Sequence, residues 1–185
     1  IENLVRMEVR QADGDGVSNV TLRDLIRTSL RMRPDRIIVG EVRGEEALDM
    51  IQSMNTGHDG SLSTGHANSP QDMLSRLETM ALFASDIPIQ AIRKQIASSI
   101  DIIVQLERLR DRSRRVTAIA EVLDCTEDAY ILNPIFEFHE QDNLVMESSS
   151  YGDIPERVVG QLERTGYHLM HRRKLHAAAL ESAEI

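Results

Sequence analysis

The sequence predicts an α/β fold in which a mostly parallel sheet, flanked by helices, is extended at one edge by antiparallel strands. Two observations lead to this prediction. In the first hundred residues, short runs of β-branched residues alternate with amphipathic helical patterns, which is typical of βαβ units. After residue 100, three β-type runs follow one another with polar turns between them, which is typical of antiparallel pairing.

Composition limits the classes of function. The 185 residues suffice for one domain or slightly more, and the 41% that are hydrophobic supply an aliphatic core. The formal net charge of −9 argues against the generally basic surface that non-specific nucleic-acid binding favours. Cys125 is the single cysteine, so no internal disulfide can form and a reducing compartment is expected. No apolar run is long enough to predict a membrane-spanning helix.

The first elements have recognisable start and stop signals. A strand is predicted over residues 5–10. Thr21, with Asp24 three residues later, forms a capping-box pattern that predicts a helix closed by Pro34. The run over residues 36–40 contains β-branched residues without alternation, which predicts a strand buried on both faces.

Four further elements complete the alternating part. The apolar spacing predicts a helix over residues 45–54, and a short strand is predicted over 61–64. Ser69 precedes a helix predicted to run to about residue 83, in the manner of an N-cap. Another helix is predicted after Pro88, because apolar residues recur there at helical spacing.

The remainder of the chain predicts strands and then a tail. The three strands are predicted over residues 100–106, 116–123 and 131–138. A polar stretch follows residue 141, then an amphipathic helix predicted over 155–164 and a weaker helix through 171–174. We therefore expect an α/β domain over 1–140 and a C-terminal helical tail, a polar linker with one or two helices, over 141–185.

A carboxylate stands directly after the strand that is predicted to be buried. Glu41 follows Gly40 at the carboxyl end of this strand, the edge at which open α/β folds bind ligands. A carboxylate there can hold a Mg²⁺-bound water, or orient and deprotonate the water that attacks a γ-phosphate. The pattern is weak by itself, because a solvated glutamate also commonly follows a strand.

A second polar cluster surrounds the next predicted strand. His66 and Asn68 lie just before a helix N-terminus, whose free N–H groups and dipole favour anions, so both are placed to reach a phosphate. A direct metal site is not indicated, because His58 and His66 lie eight residues apart without a cysteine or a carboxylate at the usual ligand spacing. Taken alone, either histidine also fits a hydrogen-bonded structural residue.

Together, the two segments resemble the Walker B box and the histidine box of the type II/IV secretion ATPases. The resemblance rests on Gly-Glu-Val-Arg at 40–43 and on Gly-His-Asp-Gly-Ser-Leu-Ser-Thr-Gly-His-Ala-Asn at 57–68. The flanking sequence resembles the CpaF/TadA-like branch of this family, which assembles Flp/Tad pili. The similar stretches are residues 30–36, 47–50, 54–61, 66–70, 75–80, 95–101 and 112–116. The similarity runs from about residue 4 to 140, and more faintly from 151 to 168.

The resemblance implies a RecA-like P-loop NTPase core that uses ATP and Mg²⁺. Glu41 would be the acidic Walker B residue, acting catalytically on the Mg²⁺–water shell and on the attacking water. His66 would contact or sense the γ-phosphate. Arg43 would be either a structural linker or a charge partner of the site. The cofactor-binding set implied in this way is Arg43, His58, Thr64 and Asn68.

The chain departs from the family pattern in two respects. Gly65 stands where Ile, Leu or Met is expected, which predicts a looser strand before His66. The Gly-x-x-x-x-Gly-Lys-Ser/Thr motif of a P-loop does not occur, because neither Lys94 nor Lys174 follows a glycine. We therefore expect that the Walker A half lies upstream of Ile1 in the parent protein, and that the 185-residue chain alone is inactive.

The resemblance also implies a setting. We expect a homo-hexameric motor at the cytoplasmic face of a bacterial or archaeal inner membrane, attached peripherally through pilus or secretion platform proteins and without direct nucleic-acid contact. The alternative within the family is a conjugation or type IV secretion motor that translocates DNA or protein. A non-enzymatic oligomerisation module is the alternative from another class. One arginine-rich turn fits a solvated turn or a subunit contact better than a nucleic-acid site: Arg108, Arg110, Arg112, Arg114 and Arg115.

Overall fold

Helices dominate the first hundred residues and strands dominate the rest. The computed structural model describes residues 2–12, 18–141 and 157–172. The chain divides into two compact units, Ile1–Asn68 with Asp72–Ile100, and Ser69–Gln71 with Asp101–Ile185. None of the described helices is both long and apolar enough to cross a membrane.

The first unit alternates helices and short strands, as predicted. Its elements are α1 (Leu22–Leu30), β1 (Ile38–Val39), α2 (Glu46–Met54), β2 (Leu62–Ser63), most of α3 (Pro70–Ala84) and α4 (Ile89–Ser99). The capping box is confirmed, because Thr21 Oγ1 accepts from the Asp24 N–H while the Asp24 carboxylate accepts from the Thr21 N–H. β1 and β2 pair in parallel with Ile38 opposite Leu62.

The core of the first unit is aliphatic, and ion pairs made by two buried carboxylates join its helices. The largest fully buried side chains come from α2, α3 and α4: Met50, Ile51, Leu74, Leu77, Ile92 and Ile96. Asp49 of α2 accepts from Arg23 Nε at 2.6 Å and from Arg27 Nε at 2.8 Å, which ties α2 to α1. Glu78 and Arg93 form a two-point ion pair between α3 and α4.

Two strand predictions in this unit are wrong. Residues 5–10 form no strand, because only Arg10 pairs, in an isolated bridge with Val20. Val5 and Val9 are exposed and Met7 is only half-buried, so little packing holds this segment in a sheet. β1 is buried on one face only, since Val39 is 3% exposed and Ile38 is 65% exposed. No described element covers the face that carries Ile38.

The second unit is an antiparallel sheet. Its strands are β3 (Ile102–Arg108), β4 (Arg114–Cys125), β5 (Tyr130–Glu140) and β6 (Gly160–Arg164), hydrogen-bonded in the order β3-β4-β5-β6. This order confirms the predicted antiparallel run of β3, β4 and β5. The prediction that these strands extend one edge of the parallel sheet is wrong, because β1 and β2 pair in a separate two-stranded sheet. Among the described residues of this unit, the buried apolar side chains are Ala120, Val122, Tyr130, Ile135 and Val158.

The helix predicted over residues 155–164 is wrong where the structure describes it, from residue 157 onward. Residues 160–164 form β6, which pairs with β5. The free edge of β5 offers a row of backbone donors and acceptors, and pairing with it overrides a weak helical pattern. Gly160 permits the close approach, because a Cβ there would lie 2.5 Å from the carbonyl oxygen of His139. Of the helix predicted through 171–174, residues 171–172 are not helical and the others lie outside the described residues.

The segment after β6 is held by a buried carboxylate. Glu121 of β4 is 1% exposed and accepts from the backbone N–H groups of Met170 and His171, at 2.9 and 2.7 Å. The Asn133 amide also donates to it, at 2.9 Å. Burial raises the pKa of Glu121, but these hydrogen bonds outweigh burial, and the pKa lies below its ordinary value. An ionised carboxylate therefore fixes this segment on the sheet.

Candidate functional site

The carboxyl ends of β1 and β2 bring the two predicted segments together. Beyond the paired strands, Thr64 Oγ1 donates to the carbonyl oxygen of Gly40 at 2.6 Å. The Val42 N–H donates to the carbonyl oxygen of Thr64 at 3.0 Å. These hydrogen bonds hold the backbone on either side of Glu41 against the backbone that precedes His66, so the two side chains lie at one edge.

Glu41 lies between two basic side chains. Its Oε2 is 2.5 Å from Nη2 of Arg43, and its Oε1 is 2.8 Å from Nε2 of His66. The hydrogen bond from Arg43 lowers the pKa of Glu41 most, and the charges of Arg43, His66 and Arg76 add to this, against a smaller opposing effect of burial. The same contact raises the pKa of Arg43. Glu41 is therefore a carboxylate at neutral pH.

One oxygen of this carboxylate has no hydrogen-bond donor. Oε1 of Glu41 is buried and accepts no hydrogen bond from the described residues, although Nε2 of His66 lies 2.8 Å away. Buried polar atoms in native proteins are normally satisfied by protein, water or ligand. The water shell of a Mg²⁺ ion supplies donors of this kind. The donor set therefore fits a Mg²⁺-bound nucleotide.

The basic groups of the site face outward. The side chains of His66 and Arg43 are 78% and 74% exposed, whereas that of Glu41 is 23% exposed. The exposed side chains of Arg43 and His66, beside a partly buried carboxylate, offer hydrogen-bond donors to a phosphate-bearing ligand.

The other predicted residues are placed differently. Thr64 uses its hydroxyl on the Gly40 backbone, and Asn68 is exposed beyond His66. Nδ1 of His58 lies 3.0 Å from the carbonyl oxygen of Ser53 at the end of α2. In the described part of the chain His58 makes no hydrogen bond or ion pair with Glu41 or His66. Within the same part, no group of three or more His, Cys, Asp or Glu side chains could hold a metal directly.

Arg76 is a site residue that the sequence reasoning missed. It is exposed on α3, and its charge contributes to lowering the pKa of Glu41. The sequence could have indicated Arg76, because it lies in the second turn of α3, the helix that begins directly after the histidine segment.

The space beside Gly65 is occupied. A Cβ on Gly65 would lie 2.5 Å from Cε of Met73 on α3. Met73 therefore takes the volume that a larger residue at position 65 would fill, so this segment remains packed before His66.

The chain is similar to known secretion and transfer proteins. The family described as "Type II/IV secretion system protein" matches residues 2–150. A putative conjugal transfer protein of Mycobacterium tuberculosis is 40% identical over 118 residues, which is 64% of this chain and 33% of that protein. The type IV secretion system protein VirB11 of Bartonella quintana is 37% identical over 116 residues, 60% of this chain and 32% of that protein.

A solved structure is similar as well. The crystal structure of the VirB11 ATPase from the Brucella suis type IV secretion system, in complex with sulphate, is 33% identical with a TM-score of 0.53, over 55% of this chain and 32% of that chain. The chain thus spans about a third of the length of these relatives. The family match covers most of the chain, including the Glu41 and His66 segments, and confirms the predicted resemblance. The chain belongs to the type II/IV secretion system protein family.

Proposed function

We propose that this chain is the Walker B and histidine-box part of an ATP-hydrolysing motor that drives secretion or pilus assembly. The observation that carries the proposal is the ionised Glu41 carboxylate, which has a donor-free oxygen and stands beside an exposed histidine at the end of two parallel strands. The family match and the VirB11 relatives support a RecA-like ATPase core in the full-length protein.

Each residue of the site has a role in this proposal. Bound ATP and Mg²⁺ supply the γ-phosphoryl group and the neutralising charge. Glu41 accepts a hydrogen bond from the attacking water at Oε1 and takes up its proton. Arg43 keeps Glu41 ionised and holds its other oxygen, which leaves Oε1 for the water. His66, with its exposed ring, donates to a γ-phosphate oxygen, and Asn68 adds a neutral donor.

The relatives support a proposal for the oligomeric state and the location of the full-length protein. VirB11 and conjugal transfer proteins, which this chain resembles, are named for secretion and transfer systems. We infer that the full-length protein forms a homo-hexamer in the cytoplasm and is held at the membrane by platform proteins. The P-loop that binds the phosphates would lie in the part of that protein outside this chain.

Two kinds of cargo remain candidates. The CpaF/TadA-like stretches favour a Flp/Tad pilus motor, and the conjugal transfer relative favours a motor that translocates DNA or protein. Deletion of the gene separates them. Loss of surface pili with normal conjugal transfer supports the first, and the reverse outcome supports the second.

Replacing Glu41 with Gln in the full-length protein tests the proposal. The change keeps the side-chain shape but removes the base, so turnover should fall by about 10²-fold or more while ATP binding persists. Glu8→Gln, the same change at an exposed position without contacts in the described residues, is the control. A Glu41→Gln enzyme with near-normal turnover would show that the carboxylate is structural.

A further inference from the structure

The turn that joins β3 and β4 divides its arginines into two groups. Arg110 forms a two-point ion pair with Glu140. Arg115 donates to the carbonyl oxygen of Val158 at 3.4 Å, and its guanidinium lies 5.9 Å from the centroid of the Phe138 ring. These two arginines hold the turn against the sheet.

The other three arginines of this region make no such ion pair or hydrogen bond within the described residues. Arg108, Arg112 and Arg114, which we call the basic turn, are all exposed. Within the described residues, no carboxylate approaches their guanidinium groups closely enough for an ion pair.

The basic turn carries two local costs. Arg108 and Arg114 are directly opposite each other in the β3–β4 register, and like charges so placed destabilise a hairpin. Arg112 has a φ of 66°, a left-handed conformation that is unfavourable for a residue with a long side chain. An anionic partner from outside the chain would relieve the repulsion between Arg108 and Arg114.

The basic turn is also preorganised. The Asp111 carboxylate accepts from the backbone N–H and hydroxyl of Ser113 and from the N–H of Val158. These hydrogen bonds, with Ser113 contributing most, lower the pKa of Asp111 to about 2. The Leu109 N–H donates to the carbonyl oxygen of Ser113 at 2.9 Å. A rigid turn loses little conformational entropy when its arginines meet a partner.

The opposite end of β4 carries the complementary charge. Asp124 at the end of β4 and Glu127 and Asp128 in the turn that follows form a cluster that we call the acidic turn. No Lys or Arg occurs between residues 116 and 156. The 12 residues of β4 separate the two turns, a length of about 40 Å for an extended strand. The basic turn therefore cannot reach the acidic turn of its own chain.

We propose that the basic turn of one copy docks onto the acidic turn of the next copy, in a head-to-tail contact that assembles the ring. Contacts between two different surfaces of identical subunits close into rings when the rotation permits. This inference deepens the proposed hexamer and rests on it. A membrane is the less suitable partner, because the chain carries a net charge of −9, which an anionic lipid surface repels.

A charge-swap experiment in the full-length protein tests the contact by sedimentation velocity, without ATP turnover as a readout. Arg108→Glu with Arg114→Glu should weaken assembly by about tenfold or more, as should Glu127→Lys with Asp128→Lys, since close charge pairs at interfaces couple strongly. All four substitutions together should restore assembly, because the charges are then exchanged. Arg6→Glu with Lys94→Glu, an equal change of charge elsewhere, should assemble as the wild type does.

The outcomes decide between partners. Unchanged assembly in either two-residue variant, or no rescue in a four-residue variant that circular dichroism shows to be folded, overturns the proposal. Loss of binding to phosphatidylglycerol vesicles in the arginine variant, with assembly intact, also overturns it and identifies a lipid surface instead. Because assembly is measured without hydrolysis, this result is independent of the outcome of the Glu41→Gln test.

Discussion

At the scale of single residues, Arg43 determines how Glu41 titrates. Its hydrogen bond is the largest influence that lowers the pKa of this carboxyl group. A lowered pKa means that the ionised form is favoured in the folded protein. This favourable contribution is complete above the ordinary glutamate pKa and is lost as the pH falls through the lowered value.

Arg43→Gln should therefore raise the pKa of Glu41 toward its ordinary value. The acidic limb of the pH profile of kcat/KM for the full-length protein, which reports the essential base of the free enzyme, should move to higher pH. Arg6→Gln is the matched control at an exposed position. If the acidic limb stays in place, Glu41 is not the group that it reports.

His66 distinguishes a nucleotide sensor from a structural residue. Its exposed side chain has room to reach a γ-phosphate, which ATP has and ADP lacks. His66→Ala should lower the ratio of ATP to ADP affinity and reduce turnover, because a ligand shifts a conformational equilibrium only by its differential affinity for the two states. The free energy of unfolding should change by no more than about 0.5 kcal/mol, as at other exposed positions.

Calorimetric affinities for both nucleotides, together with thermal melting of the same variant, test this prediction. His139→Ala, the same change at another exposed position, provides the control. Equal losses for ATP and ADP, accompanied by a large loss of stability, would assign His66 a structural role.

At the scale of elements, the ion pair between α3 and α4 is the clearest stabilising device. Glu78 and Arg93 side chains are 9% and 11% exposed, with Arg93 Nε 2.5 Å from Glu78 Oε1. Removing one partner leaves a buried charge uncompensated, so Arg93→Met should destabilise the protein by about 3 kcal/mol or more. Glu78→Leu combined with Arg93→Met should be more stable than Arg93→Met alone, because no charge then remains.

Urea unfolding of the single and double variants measures this coupling. The control pair is Glu8→Leu with Arg6→Met, two exposed residues with no hydrogen bond or ion pair to the described residues. Its effects should be small and additive. Additive losses at Glu78 and Arg93 would contradict the proposed role of the pair.

At the scale of the whole molecule, the chain contains two units but lacks the phosphate-binding motif. No lysine follows a glycine in the 185 residues, so the main phosphate donors of a P-loop are not part of this chain. The chain alone should therefore show no micromolar affinity for ATP by calorimetry, whereas the full-length protein should bind it. Micromolar binding by the folded chain alone would mean that the Glu41 edge suffices as a nucleotide site.

The sequence by itself determined the family, most of the elements and the two segments that carry Glu41 and His66. Capping signals, breakers and apolar periods are local, and the short β1–α2–β2 connection leaves two parallel strands few other arrangements. Tertiary structure alone decided three features: that residues 160–164 form a strand, that one face of β1 is uncovered, and that Arg43 and Arg76 act on Glu41. Each of these features depends on contacts between residues that are distant in sequence, or on the direction in which a side chain points. The free edge of β5, for example, supplies hydrogen bonds that no local pattern in residues 160–164 encodes.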